Sequence, residues 1–156
     1  MKPKLISAQF ANNAFPCLSL PGNLYRKIAQ IKIMKSVILL GCGGFIGTVL
    51  RYAVQLGVNK YSFTSFPLAT FLVNIVGCLL IGILYGLATR YEWFNQELQL
   101  FLITGLCGGF TTFSTFSYEN ILLLQKGNYL VFFGYLFLSI SLGFTLTWLG
   151  FVVAKQ

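Results

Sequence analysis

GLCGGFTTFSTFSYEN, residues 105–120, places three glycines and a run of hydroxyls and phenylalanines inside an apolar stretch long enough to cross a bilayer. A glycine in a helix interior costs about 1 kcal/mol relative to alanine, so a helix running from residue 98 is expected to open around Gly105, Gly108 and Gly109. Opened backbone survives at membrane depth only where protein, water or an ion satisfies its amides and carbonyls. A break here therefore implies a buried site. Downstream, at roughly 100° per residue, Thr111, Ser114, Thr115 and Tyr118 fall on one helical face and Phe113 and Phe116 on another, with Thr112 pointing away from the hydroxyls. The hydroxyl face can donate to an anion or line a polar track, and the phenyl pair can present electropositive ring edges. The same spacing also fits helix packing, with glycines for close approach, hydroxyls bonded to their own backbone and phenylalanines toward lipid.

Composition sets the class. Of 156 residues, 56% are hydrophobic and 9% charged, and mean hydropathy is +0.77, whereas soluble domains carry about a quarter charged residues. The chain reads as an integral membrane protein, in contact with the lipid bilayer and with no nucleic-acid partner. Four apolar segments, residues 36–58, 66–89, 98–124 and 129–154, each exceed the roughly 20 helical residues that a hydrocarbon core requires. Short connections make successive helices antiparallel neighbours, and Pro67 suits a first helical turn. The expected fold class is all-α: four transmembrane helices, the third broken near the midplane, assembled as an antiparallel dual-topology dimer.

Small residues mark helix contacts. Gly43 and Gly47, Gly82 and Gly86, and Gly105 and Gly109 are each four apart, the spacing that lets membrane helices approach closely. Asn74 stands alone among Val73, Ile75 and Val76; its amide either bonds a neighbouring helix or lines a polar path. Arg51 and Glu119 are the ionisable side chains nearest the spans. Both lie toward segment ends, where snorkelling is feasible, and read as vestibule or packing residues.

Residues 1–33 differ in kind. They hold Lys2, Lys4, Arg26, Lys27 and Lys32 with no acid, against six basic and three acidic residues in 34–156. A basic amphipathic segment at the membrane surface is one reading. The favoured one is that Met34 opens a second, self-sufficient start and that residues 1–33 are an extension outside the fold of 34–156. Without them, one side of the membrane receives Lys35, Arg90 and Lys155 and the other Arg51, Lys60 and Lys126. Orientation follows an excess of Lys and Arg on cytoplasmic loops. A three-against-three chain can insert both ways and pair with an inverted copy, a balance the extension upsets by five.

Cys17, Cys42, Cys78 and Cys107 have no paired short spacing, and the chain has no histidine. A zinc or redox site lacks a ligand set, and the cysteines read as small buried hydrophobes. No nucleophile has a base partner, so the chain is not expected to be an enzyme and no catalytic residue is assigned.

Three stretches carry a family resemblance: GGFIGTVLRY at 43–52, FPLATFLVNIVGCLLIG at 66–82 and GLCGGFTTFSTFSYE at 105–119. Together they resemble the CrcB/Fluc fluoride channels across nearly all of residues 34–156. The resemblance implies a dual-topology homodimer with fluoride pathways that export the ion passively, around a central structural sodium ion that is not transported. By matching positions it implies that the backbone carbonyls of Gly108 and Thr111 hold the sodium. Phe113 and Phe116 would be pore phenylalanines, Asn74 a pore donor, Ser114 and Thr115 part of a hydroxyl track, and Tyr135 and Ser139 contributions from the fourth helix. Fluoride needs hydroxyl and amide donors in place of its water without a fixed counter-charge that would trap it. Two alternatives remain: a small multidrug-type exporter, which wants a membrane-embedded acid that residues 36–50 lack, and a non-transporting assembly subunit using the glycines for packing.

Overall fold

Each of the four apolar stretches is helical in the computed structural model, which describes residues 22–61 and 65–156. Helix α1 spans Gly22–Tyr61 and α2 Leu68–Arg90. The third span is divided: α3, residues 96–110, consists of one turn Gln96–Leu98, wide π-helical turns Gln99–Cys107 and one turn Gly108–Phe110, and α4 is Phe113–Gln125. Helix α5 is Tyr129–Lys155. Four runs, Arg26–Lys60, Leu68–Arg90, Gln96–Gln125 and Tyr129–Lys155, are long and apolar enough to cross a membrane, and no strand occurs among the described residues. The chain forms two units, Met1–Met34 and Lys35–Gln156. Of the extension, residues 1–21 lie outside the described part and residues 22–33 are helical, so α1 begins well before the expected residue 36.

Local chemistry sets the ends. Pro67 precedes α2 instead of opening its first turn, which suits a residue with no N–H to donate. Asn95 caps α3 by accepting the Leu98 amide at 3.0 Å. At the close of α4, Gly127 takes φ +71°, its N–H donates to Leu124 at 3.0 Å and that of Asn128 to Leu123 at 3.0 Å. That pair of bonds turns the chain directly into α5 and needs the left-handed conformation a glycine supplies.

The six paired glycines all lie where a side chain would meet another helix. A methyl group on Gly43 would run into the Phe101 carbonyl and one on Gly47 into that of Leu106, while Gly105 and Gly109 abut Leu40, Gly43 and Gly44. On the other seam, Gly82 and Gly86 lie against the backbone of Thr147 and Phe151, and Gly150 returns the contact to Leu79 and Ile83. The Thr147 hydroxyl adds a bond to the Cys78 carbonyl at 3.1 Å. Contacts on both seams advance together along the two chains, so the closest packing joins alternate, parallel helices, first to third and second to fourth. Short connections fix the direction of successive helices but do not make them the tightest neighbours. Gly82→Ala should therefore lower thermal stability in detergent by about 1–3 kcal/mol, whereas Gly57→Ala, which meets open space, should not. Equal melting of the two variants on size exclusion would contradict this seam.

The expected break at the glycines is corrected. Gly108 and Gly109 remain helical, and the interruption falls after them at Thr111 and Thr112, halfway along Gln96–Gln125. Gly105 and Gly109 serve instead to admit the backbone of α1. Cys42, Cys78 and Cys107 are free; Cys107 is buried, but Cys42 is exposed and does not act as a core residue, and Cys17 lies outside the described residues.

Candidate functional site

Two residues of extended backbone, Thr111 (φ −83°, ψ 159°) and Thr112 (φ −151°, ψ 115°), separate α3 from α4. Asn74 on α2 substitutes for the missing helical bonds. Its Oδ1 accepts the Thr112 N–H at 2.8 Å and its Nδ2 donates to the Thr112 carbonyl at 3.2 Å. Thr112 then caps α4, its Oγ1 accepting the Thr115 N–H at 3.3 Å and contacting the hydroxyls of Thr115 at 3.0 Å and Ser114 at 3.3 Å. Thr112 thus joins the hydroxyl group and does not point away from it. Thr111 turns its own hydroxyl back to the Cys107 carbonyl at 2.9 Å, and its methyl occupies the space left by Gly77.

These bonds have a consequence for the carbonyls. In an uninterrupted helix the Thr112 amide would bond the Gly108 carbonyl, and the Thr115 amide that of Thr111. The first amide goes to Asn74 and the second to the Thr112 hydroxyl. The carbonyls of Gly108 and Thr111 are thereby released from those two helical bonds. A methyl group on Gly108 would meet nothing within 4 Å.

Beside the break lies an open pocket of about 260 Å³. Asn74, Thr111, Thr112, Phe113, Phe116 and Ser139 line it, with Cys78, Ile81 and Ile140 completing the wall. No charged side chain is among them. The Ser139 hydroxyl is buried without a protein partner. Phe113 and Phe116 stand 5.9 Å apart, ring centre to ring centre, but in unlike surroundings: Phe113 is 80% exposed and Phe116 8%.

Phe116 leads from this pocket to a second polar group. Its ring meets that of Tyr135 at 4.9 Å in an edge-on contact, and Tyr135, fully buried, donates its hydroxyl to Glu119 Oε2 at 2.9 Å. The Thr70 hydroxyl donates to Glu119 Oε1 at 2.7 Å. Beyond Glu119 is a polar cleft of about 220 Å³ lined also by Gln55, Asn59, Ser65 and Thr70. Arg51 is half-buried on α1 and does not line this cleft; the carboxylate is held by Thr70 and Tyr135.

Residues 38–151 match the family described as CrcB-like protein, Camphor Resistance (CrcB). The chain belongs to the CrcB family. A CrcB relative from Flavobacterium psychrophilum, named fluoride-specific ion channel FluC, is 50% identical over 123 residues, 79% of this chain and 99% of its own length. Proteins of the same name from Azobacteroides pseudotrichonymphae and Phocaeicola vulgatus are 44% and 48% identical over 123 and 117 residues, covering 79% and 75% of this chain and 98% and 96% of theirs.

In this CrcB chain the structure gathers Asn74, Thr111, Phe113, Phe116 and Ser139 around one pocket and links Ser114 and Thr115 to it through Thr112. Tyr135 and Glu119 lie behind Phe116, while Gly108 contributes backbone at the break and Arg51 stands apart. Sequence reasoning missed Thr112 and Thr70. The second was visible as the position one turn before Asn74, on the same face of α2.

Proposed function

We propose that this CrcB protein is a fluoride channel that lowers cytoplasmic fluoride by passive export, working as an antiparallel dual-topology homodimer. The observation that carries the reading is the uncharged pocket at the break. It offers a buried hydroxyl without a protein partner, an amide and two phenyl rings, and no cationic side chain to hold an anion fast. Its relatives are named as fluoride channels over nearly their whole length, and none of the three compared is named as an enzyme.

In this mechanism Asn74 and Ser139 supply donors to fluoride as it loses water, and Phe113 and Phe116 flank it with ring edges. The hydroxyls of Ser114 and Thr115, then of Tyr135, continue the polar path. Glu119 at the cleft holds the Tyr135 and Thr70 hydroxyls in place. Gly108, Phe113 and Ser114 are exposed in the single chain, which supports this face as the one the second copy would cover. The released carbonyls of Gly108 and Thr111 fit a hard cation that takes oxygen ligands, and would hold a structural sodium ion. Such an ion supplies a buried positive field without a charged side chain.

Expression in a bacterium lacking fluoride export tests the reading: growth should be restored on fluoride medium, and failure by a correctly inserted protein would count against it. Thr112→Val keeps the shape but removes the hydroxyl that accepts the Thr115 amide, leaving that amide to compete for the Thr111 carbonyl. It should raise the sodium concentration needed for fluoride flux by about tenfold, the equivalent of one 1.4 kcal/mol hydrogen bond. An unchanged sodium requirement would argue against those carbonyls as ligands.

A further inference from the structure

Toward the carboxyl-terminal ends of α2 and α5, away from the break, the seam between the two helices leaves an open groove of about 440 Å³. Tyr85 and Thr89 of α2 and Phe144, Trp148 and Phe151 of α5 wall it, together with buried Gly82. None of these side chains is charged, and the rings at its mouth stand open: Tyr85 is 49% exposed, Phe144 77% and Trp148 63%. Along α2 the groove runs from Gly82 to Thr89, about 10 Å at 1.5 Å per residue.

The outer end of this groove is basic. Gly86 abuts Phe151 and Ala154, so the last turns of the two helices lie side by side, and Arg90 and Lys155 close them. Both side chains are exposed. Arg90 stands 5.1 Å from the centre of the Tyr91 ring, and Lys155 stands 5.6 Å from that of Phe151, itself a wall of the groove. Among the described residues neither is paired with a carboxylate, whereas Lys35 is committed to Glu97 at 2.6 Å. Long basic side chains lay their stems on apolar surface and lift their charge to the phosphates. Tyr91 and Trp93, with rings 5.9 Å apart, follow Arg90 directly, and such amphipathic rings sit at headgroup level.

We propose that this groove binds one anionic phospholipid, with an acyl chain against Tyr85, Phe144 and Trp148 and the phosphate between Arg90 and Lys155. A concave apolar wall with a few polar groups at one end fixes the orientation of an amphipathic ligand, and basic pockets between membrane helices take anionic headgroups. Each of the two cations strengthens binding roughly fivefold. The inference rests on the membrane spans, not on the transported ion, and it needs no preferred orientation: inverted copies carry one such site in each leaflet.

The test uses the full-length protein with Trp93→Phe, which leaves Trp148 in the groove as its one tryptophan. It is reconstituted in phosphatidylcholine vesicles, and its fluorescence is quenched with phosphatidylglycerol or phosphatidylcholine brominated on the acyl chains. Brominated phosphatidylglycerol should reach half-quenching at a mole fraction lower by about fivefold or more. In the Arg90→Gln/Lys155→Gln variant, checked for monodispersity on size exclusion, the two lipids should quench alike. A tryptophan placed by Val49→Trp, exposed on α1, in a Trp93→Phe/Trp148→Phe background should show no such preference. Equal quenching of Trp148 by both lipids would make the groove ordinary lipid-facing surface, and quenching by neither would mean that a second copy covers it; either result would overturn the proposal. So would a preference that persists in the neutralised variant, or an equal preference at position 49, which would reflect lipid gathered around the whole basic protein.

Discussion

Asn74→Ala should reduce fluoride flux by about two orders of magnitude, the rate equivalent of roughly 3 kcal/mol, while leaving the helices folded. The side chain lines the pocket and also accepts and donates to the Thr112 peptide at 2.8 and 3.2 Å. Its removal strips a donor from the pathway and leaves an amide and a carbonyl without their protein partner. Each such group costs about 1–3 kcal/mol. With its amide free, Thr112 can close onto the Gly108 carbonyl and straighten the break. Flux and sodium dependence should therefore fail together, measured on protein that remains monodisperse on size exclusion. A variant that conducts at the parent rate would remove Asn74 from both roles.

Phe113→Ile should abolish most flux and leave the fold of the single chain intact, because the ring is 80% exposed in the single chain and packs little of its core. Phe116→Ile should also lose flux but should melt earlier. That ring is 8% exposed, belongs to the cluster with Leu123 and Tyr135, and makes the edge-on contact with Tyr135. Such an aromatic pair contributes about 0.5–1.5 kcal/mol, and the shape change adds about 1–3 kcal/mol. The pair of variants separates anion contact from packing, since a ring that only fills space affects stability first. Parent-like flux in Phe113→Ile would refute its place in the pathway.

The four spans were legible because a bilayer demands about 20 apolar residues and leaves little choice of conformation. The four-residue glycine spacings also read correctly, as they report close approach whichever helix supplies the partner. The partner itself was not legible: short loops order successive helices, yet Gly82 meets Thr147 and Gly47 meets Leu106, on alternate ones. Helix propensity put the interruption at the glycines, whereas a bond across 38 residues from Asn74 to Thr112 puts it at the threonines. Local preference carries no information about such a partner. The wheel failed for Thr112 for the same reason, because it assumes continuous helix where the residue is an extended cap. Thr70 and Tyr135 meeting on Glu119 required the packed fold, although the i, i+4 relation of Thr70 to Asn74 was present in the sequence.

Efflux of fluoride from liposomes loaded with fluoride or chloride, with purified full-length protein and a potassium gradient shunted by valinomycin, tests the central claim most directly. Rapid fluoride release that chloride does not share, that needs no proton gradient and that falls in Asn74→Ala and Phe113→Ile is the predicted result. Monodisperse protein that releases neither ion, or releases both at the same rate, would contradict a fluoride channel built around the break at Thr111 and Thr112.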